Sequence, residues 1–77
     1  MFKETINEAI DNVILENVGS NINNPAFIES LEHRLLDLVN NGTIDKFTIN
    51  GGNSLIVRVT KGNVTEIFER DEDGGVV

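Results

Sequence analysis

The chain has 77 residues and sets 13 acids against 6 bases and a single His, for a net charge of −7 at neutral pH. Affinity for phosphate backbones rests on Lys and Arg releasing counterions, so this balance argues against direct binding to DNA, RNA or an anionic membrane and favours a basic partner. With no Cys there is no disulfide, thiolate nucleophile or zinc–thiolate site, a composition that suits a reducing compartment.

A chain this short predicts one domain, burying only about 60% of the surface its unfolded form exposes. At about 0.05 to 0.15 kcal/mol per residue, its stability comes to about 4 to 12 kcal/mol, so association with a partner is a ready source of more. The start Met1-Phe2-Lys3-Glu4 carries no signal-peptide apolar region. The longest aliphatic run, Val13-Ile14-Leu15, is far short of the roughly 20 residues that span a bilayer. A soluble, cytoplasmic protein is expected. Charge is unevenly spread, with −6 over residues 1–45, +2 over 46–70 and −3 over 71–77.

Phe2, Ile6, Ala9, Ile10, Val13 and Ile14 recur at three and four residues and predict an amphipathic helix over residues 2 to 18. Glu4, Glu8 and Asp11 fall on its opposite side. Leu15 projects among those acids rather than toward the core. Gly19 is a natural stop, and residues 20–24 read as a polar connection. Asn24 as N-cap and Pro25 at the first helical position open a second helix, expected over Pro25 to Asn41. Its apolar stripe is Phe27, Ile28, Leu31, Leu35, Leu38 and Val39, with Leu36 at the margin and Gly42 as a left-handed stop. The short connection suggests a helical hairpin.

After Gly42 the apolar period falls from 3.6 to 2. Thr43 to Ile49 read as a strand, Asn50-Gly51-Gly52-Asn53 as a turn, and Leu55 to Thr60 as a second strand with Leu55, Val57 and Val59 on one side. A turn at Lys61-Gly62-Asn63 leads into a third strand over Val64 to Arg70. A two-residue turn at Gly62-Asn63 would pair Val57 with Phe68 and Arg58 with Ile67, whereas a three-residue loop would set Arg58 opposite Glu66; the first is preferred. The expected fold is α+β, a two-helix hairpin packed on a three-stranded antiparallel β-meander in the order ααβββ over residues 1–70, followed by a flexible acidic tail over 71–77.

No residue set carries convincing chemistry. Glu29, His33 and Asp37 line one face of the second helix, but side chains diverging from one straight helix do not enclose an ion or a reacting atom. Gly51-Gly52 lies between strands rather than before a helix, so it is a hairpin turn and no phosphate loop. Ser20, Ser30 and Ser54 have no neighbouring base in sequence. Lys46, Arg58, Lys61 and Arg70 near Phe47 and Phe68 suggest a stacking platform for single strands, but no recognition motif accompanies them. No catalytic residue, metal or cofactor is expected.

The expectation is a non-enzymatic acidic interaction protein that binds a basic, nucleic-acid-binding surface of a partner protein. Its contact residues would be Glu4, Glu8, Asp11, Leu15, Glu16, Glu29, Glu32 and Asp37, with carboxylates standing where phosphates would sit. In size, acidity and lack of catalytic groups the chain resembles the small accessory inhibitors encoded by bacteriophages and other mobile elements, a resemblance of composition without a motif. The alternative is a structural or assembly subunit, a homo-oligomer formed through an exposed sheet face by Ile56 with Ile67 or Phe68.

Overall fold

The computed structural model of the chain describes residues 2–17, 24–51 and 54–71. The order is ααβββ: α1 spans Phe2–Glu16, α2 Pro25–Asn40, β1 Lys46–Asn50, β2 Ser54–Lys61 and β3 Val64–Asp71. The strands form one antiparallel sheet in the order β1-β2-β3, which makes the protein an α+β fold.

Helix α1 buries Ile6, Ala9, Ile10 and Val13, the stripe its sequence predicts. Helix α2 starts where Asn24, extended at φ −68 and ψ 129, accepts the Ala26 N–H on its side-chain oxygen at 2.9 Å. That bond satisfies one of the donors a helix start leaves open, and Pro25 beside it has no N–H to satisfy. At the other end Gly42 turns left-handed at φ 85, its N–H reaching Val39 O at 3.1 Å while the Thr43 N–H reaches Leu38 O at 2.9 Å. This paired closure is a Schellman motif, and it consumes the residues expected to begin β1. Ile44 N also points to Leu38 O, and the Ile44 side chain is buried as a plug beneath the turn. The strand therefore begins at Lys46 rather than Thr43.

The β2–β3 register settles the ambiguous hairpin: Val57 opposes Phe68, Arg58 opposes Ile67 and Lys61 opposes Val64 across a two-residue turn. Gly62 at φ 60 occupies its first central position, as a type II′ turn requires. Side chains alternate across the sheet, so Leu55, Val57, Val59 and Phe68 face the helices and form the core with Ile6, Ile10, Val13, Phe27, Leu31, Leu35 and Ile44. Phe47 and Ile49 of β1 pack against that core at half burial. Strand β3 runs through Asp71, opposite Ser54, one residue into the segment expected to be tail. The α1–α2 connection at 18–23, the Gly52-Asn53 turn and residues 72–77 lie outside the described residues. Among the described residues no helix is long and apolar enough to cross a membrane.

Candidate functional site

The eight carboxylate and leucine positions expected to meet a partner do not fall on one surface. Glu4 and Glu8 are exposed on the outer side of α1, and Leu15, on the same side but about 10 Å further along the axis than Glu8, is 69% exposed. Neither Glu4 nor Glu8 has a cation within ion-pair distance among the described residues. They are separated by one helical turn, about 6 Å along the axis.

Asp11 belongs to the same stripe but leans toward β3, where its carboxylate meets Arg70 Nη2 at 3.3 Å. Arg70 is only 8% exposed. Its Nη2 also donates to Asn7 Oδ1 at 2.9 Å and its Nη1 to the Glu69 carbonyl at 2.9 Å, while Nε has no partner among the described residues. Asn7, Asp11 and Arg70 thus fasten α1 to the sheet. Taking a guanidinium out of water is costly unless its donors are met, which makes this cluster sensitive to loss of any acceptor.

Glu16 is likewise engaged: Arg34 Nη2 of α2 donates to both its oxygens at 2.9 and 2.7 Å. Both side chains are solvated, at 36% and 55% exposure, so the pair contributes about 0.2 to 1 kcal/mol. Glu29, Glu32 and Asp37 are exposed on α2. At 100° per residue Asp37 lies about 140° around the helix from Glu32, so the three share no surface. His33 is exposed between Glu29 and Asp37. Among the described residues no three His, Asp or Glu side chains converge closely enough to hold a metal ion.

The outer face of the sheet carries cations as well as the exposed Glu69. Lys46 and Arg58 project from the face of the sheet away from the helices, on adjacent strands among Thr48, Thr60 and Thr65, with no carboxylate at ion-pair distance among the described residues. Lys61 instead ties the β2–β3 hairpin to the α2–β1 connection, donating to Gly42 O at 2.8 Å and approaching Asp45 at 3.6 Å. The Gly62 N–H donates to Asp45 Oδ2 at 2.7 Å. That backbone bond, followed by the nearby Lys61 charge, holds the Asp45 carboxyl below the usual carboxylate range.

Of the positions expected to join copies, Ile67 is 58% exposed on this outer face and Ile56 half-buried beside it, but Phe68 points the other way and is 5% exposed in the core. Phe68 is therefore no contact residue. Compared with known protein families, characterised proteins and solved structures, the chain matches none.

Proposed function

We propose that the protein is a non-enzymatic interaction module that presents the outer face of α1 to a basic surface of a partner protein and competes there with nucleic acid. The observation that carries this reading is Leu15, 69% exposed on the same side of α1 as the carboxylates of Glu4 and Glu8, which are unpaired among the described residues. An exposed apolar side chain on a charged helix face offers a partner a contact anchor, and the carboxylates on that side supply the field that steers a cation-rich partner. Two carboxylates about 6 Å apart along a helix axis place two negative charges on one surface, as successive phosphates of a nucleic-acid backbone do. The site is smaller than the sequence suggests, because Asp11 and Glu16 already have partners within the fold. Of the cations unpaired among the described residues, Lys46 and Arg58 lie on the far side of the sheet, while Lys3, next to Glu4 in α1, offsets part of that field.

Capture of partners on the immobilised protein, at low and high salt and with duplex DNA as competitor, tests the reading. Partners with basic nucleic-acid-binding surfaces that salt and DNA both release are the expected result. Retention of partners unaffected by both would reject charge mimicry.

A second reading, a homo-oligomer through the outer sheet face, is favoured by Ile67, 58% exposed opposite Arg58. An oligomer lost on Ile67→Lys would support it.

A further inference from the structure

Strand β1 is an edge of the sheet, so among the described residues one side of its backbone has no neighbouring strand. Beside that edge the two layers do not close. A groove of about 570 Å³ runs between α2 and β1, lined by the apolar Ile28, Leu36 and Val39 from the helix and Phe47 and Ile49 from the strand, together with Glu32, Asp45, Lys46 and Thr48. Leu36 is 43% exposed there, and the other four apolar side chains are half-buried although they pack on the core. An unpaired strand edge next to an apolar groove is the arrangement that strand addition uses, backbone bonds giving affinity and the groove taking alternate side chains.

Charge identifies the strand that fits. In a chain of net charge −7, β1 reads Lys46-Phe47-Thr48-Ile49-Asn50 without a carboxylate, whereas the other edge, β3, carries Glu66, Glu69 and Asp71. Two copies of β3 would line up six carboxylates along one short ladder, and like charges across a ladder are destabilising. Two copies of β1 meet without that cost. Antiparallel about a two-fold axis at Thr48, the middle of the strand, each Phe47 lies opposite the other copy's Ile49 on the core side and each Lys46 opposite an Asn50 on the outer side. Every residue of the strand then has a compatible partner.

We infer that the protein forms a two-fold homodimer through β1, centred on Thr48, which joins the two sheets into one and closes the groove of each copy against the other. This goes beyond the α1 reading and does not rest on it, because α1 is fastened to β3 at the opposite edge. Its salt dependence is also opposite. Two chains of like charge repel, so salt strengthens self-association while it weakens docking on a basic partner. Glu32, beside the groove and without an ion-pair partner among the described residues, adds to that repulsion.

Sedimentation equilibrium of the full chain over a range of concentrations, in low and high salt, is the direct test. A monomer–dimer equilibrium that tightens with salt is expected. Leu36→Lys, at an exposed position that leaves the core intact, raises the dissociation constant at least about tenfold by placing a cation in the apolar contact. Ile67→Lys, on the outer face, leaves it unchanged. Because the chain has no Cys, Thr48→Cys reports the register: residues directly opposed in an antiparallel ladder have Cα atoms about 4.5 to 5.5 Å apart, within the span of a disulfide. Oxidation then yields a covalent dimer, and Thr65→Cys on β3 does not. A monomer at every concentration in high salt, a dimer lost in Ile67→Lys but kept in Leu36→Lys, or a Thr48→Cys chain that stays unlinked while the wild type dimerises would each overturn the inference.

Discussion

Replacing Asp11 with Asn separates a structural acid from a contact acid on one helix face. Asp11 and Glu8 are neighbours on the outside of α1, yet Asp11 accepts from the guanidinium of Arg70 and Glu8 meets no cation among the described residues. A hydrogen bond to a charged group contributes about 1.5 to 3 kcal/mol when both partners are dry. Here the Arg70 side chain is 9% exposed but Asp11 is 48% exposed and the contact is 3.3 Å, so solvent screening reduces the figure to about 1 kcal/mol. Asn7 and the Glu69 carbonyl continue to hold the guanidinium, which keeps the loss from reaching the roughly 3 to 5 kcal/mol of a fully broken buried pair. Glu8→Gln removes the same charge from the same surface, and so corrects for relief of repulsion in a chain of −7. In urea unfolding, with a slope of about 1 kcal/mol per molar for so small a domain, Asp11→Asn shifts the midpoint down by roughly 1 M. Glu8→Gln leaves it within a few tenths. Equal midpoints for the two variants would show that the Asp11–Arg70 contact does not fasten α1 to the sheet.

Leu31 is fully buried at the centre of the core, and Leu31→Ala costs about 2.5 to 5 kcal/mol. With about 4 to 12 kcal/mol available in total, thermal unfolding of that variant near ambient temperature is expected. Asp45→Asn lowers stability at neutral pH by removing the acceptor of the Gly62 N–H and the partner of Lys61. The folded-state pKa of Asp45 is depressed, so its contribution is present above the ordinary value of 3.8 and disappears as pH falls below it through the lower folded value. Unfolding curves of the wild type and of the Asp45→Asn variant, recorded from pH 7 downward, therefore converge only in that acid window. A constant gap down to the lowest pH would remove Asp45 as a charged clamp.

Much of this architecture is legible in the residues. The 3.6-residue stripes of α1 and α2 and the exposed position of Leu15 follow from angular spacing alone, and the Asn24-Pro25 start needs only the chemistry of an open helix end. The turn residues narrow the hairpin register to two, and the structure selects the two-residue turn, with Gly62 taking the positive φ of the first central position. What spacing does not carry is which polar side chains are already satisfied. Glu16 has its partner Arg34 eighteen residues away and Asp11 has Arg70 fifty-nine away, distances that only the packing of α1 on α2 and on β3 closes. A signal for Arg70 is nonetheless present. In the register that pairs Val57 with Phe68, Arg70 falls opposite Leu55 on the core side, and a cation on that side requires acceptors from the helix above it. The start of β1 departs from expectation for a different reason, since β-branched Thr43 and Ile44 suit a strand but are claimed by the closure of α2.

The central claim, that the outer face of α1 is the surface a basic partner meets, is tested most directly by titrating a captured partner against three forms of the protein across a range of salt. The forms are the wild type, a Glu4→Gln, Glu8→Gln, Leu15→Ser variant, and a Glu29→Gln, Asp37→Asn control that removes the same charge from α2. At least a tenfold loss of affinity and a shallower salt dependence are expected for the α1 variant, with the α2 control close to wild type. Equal binding by the α1 variant, or a larger loss in the α2 control, would contradict it.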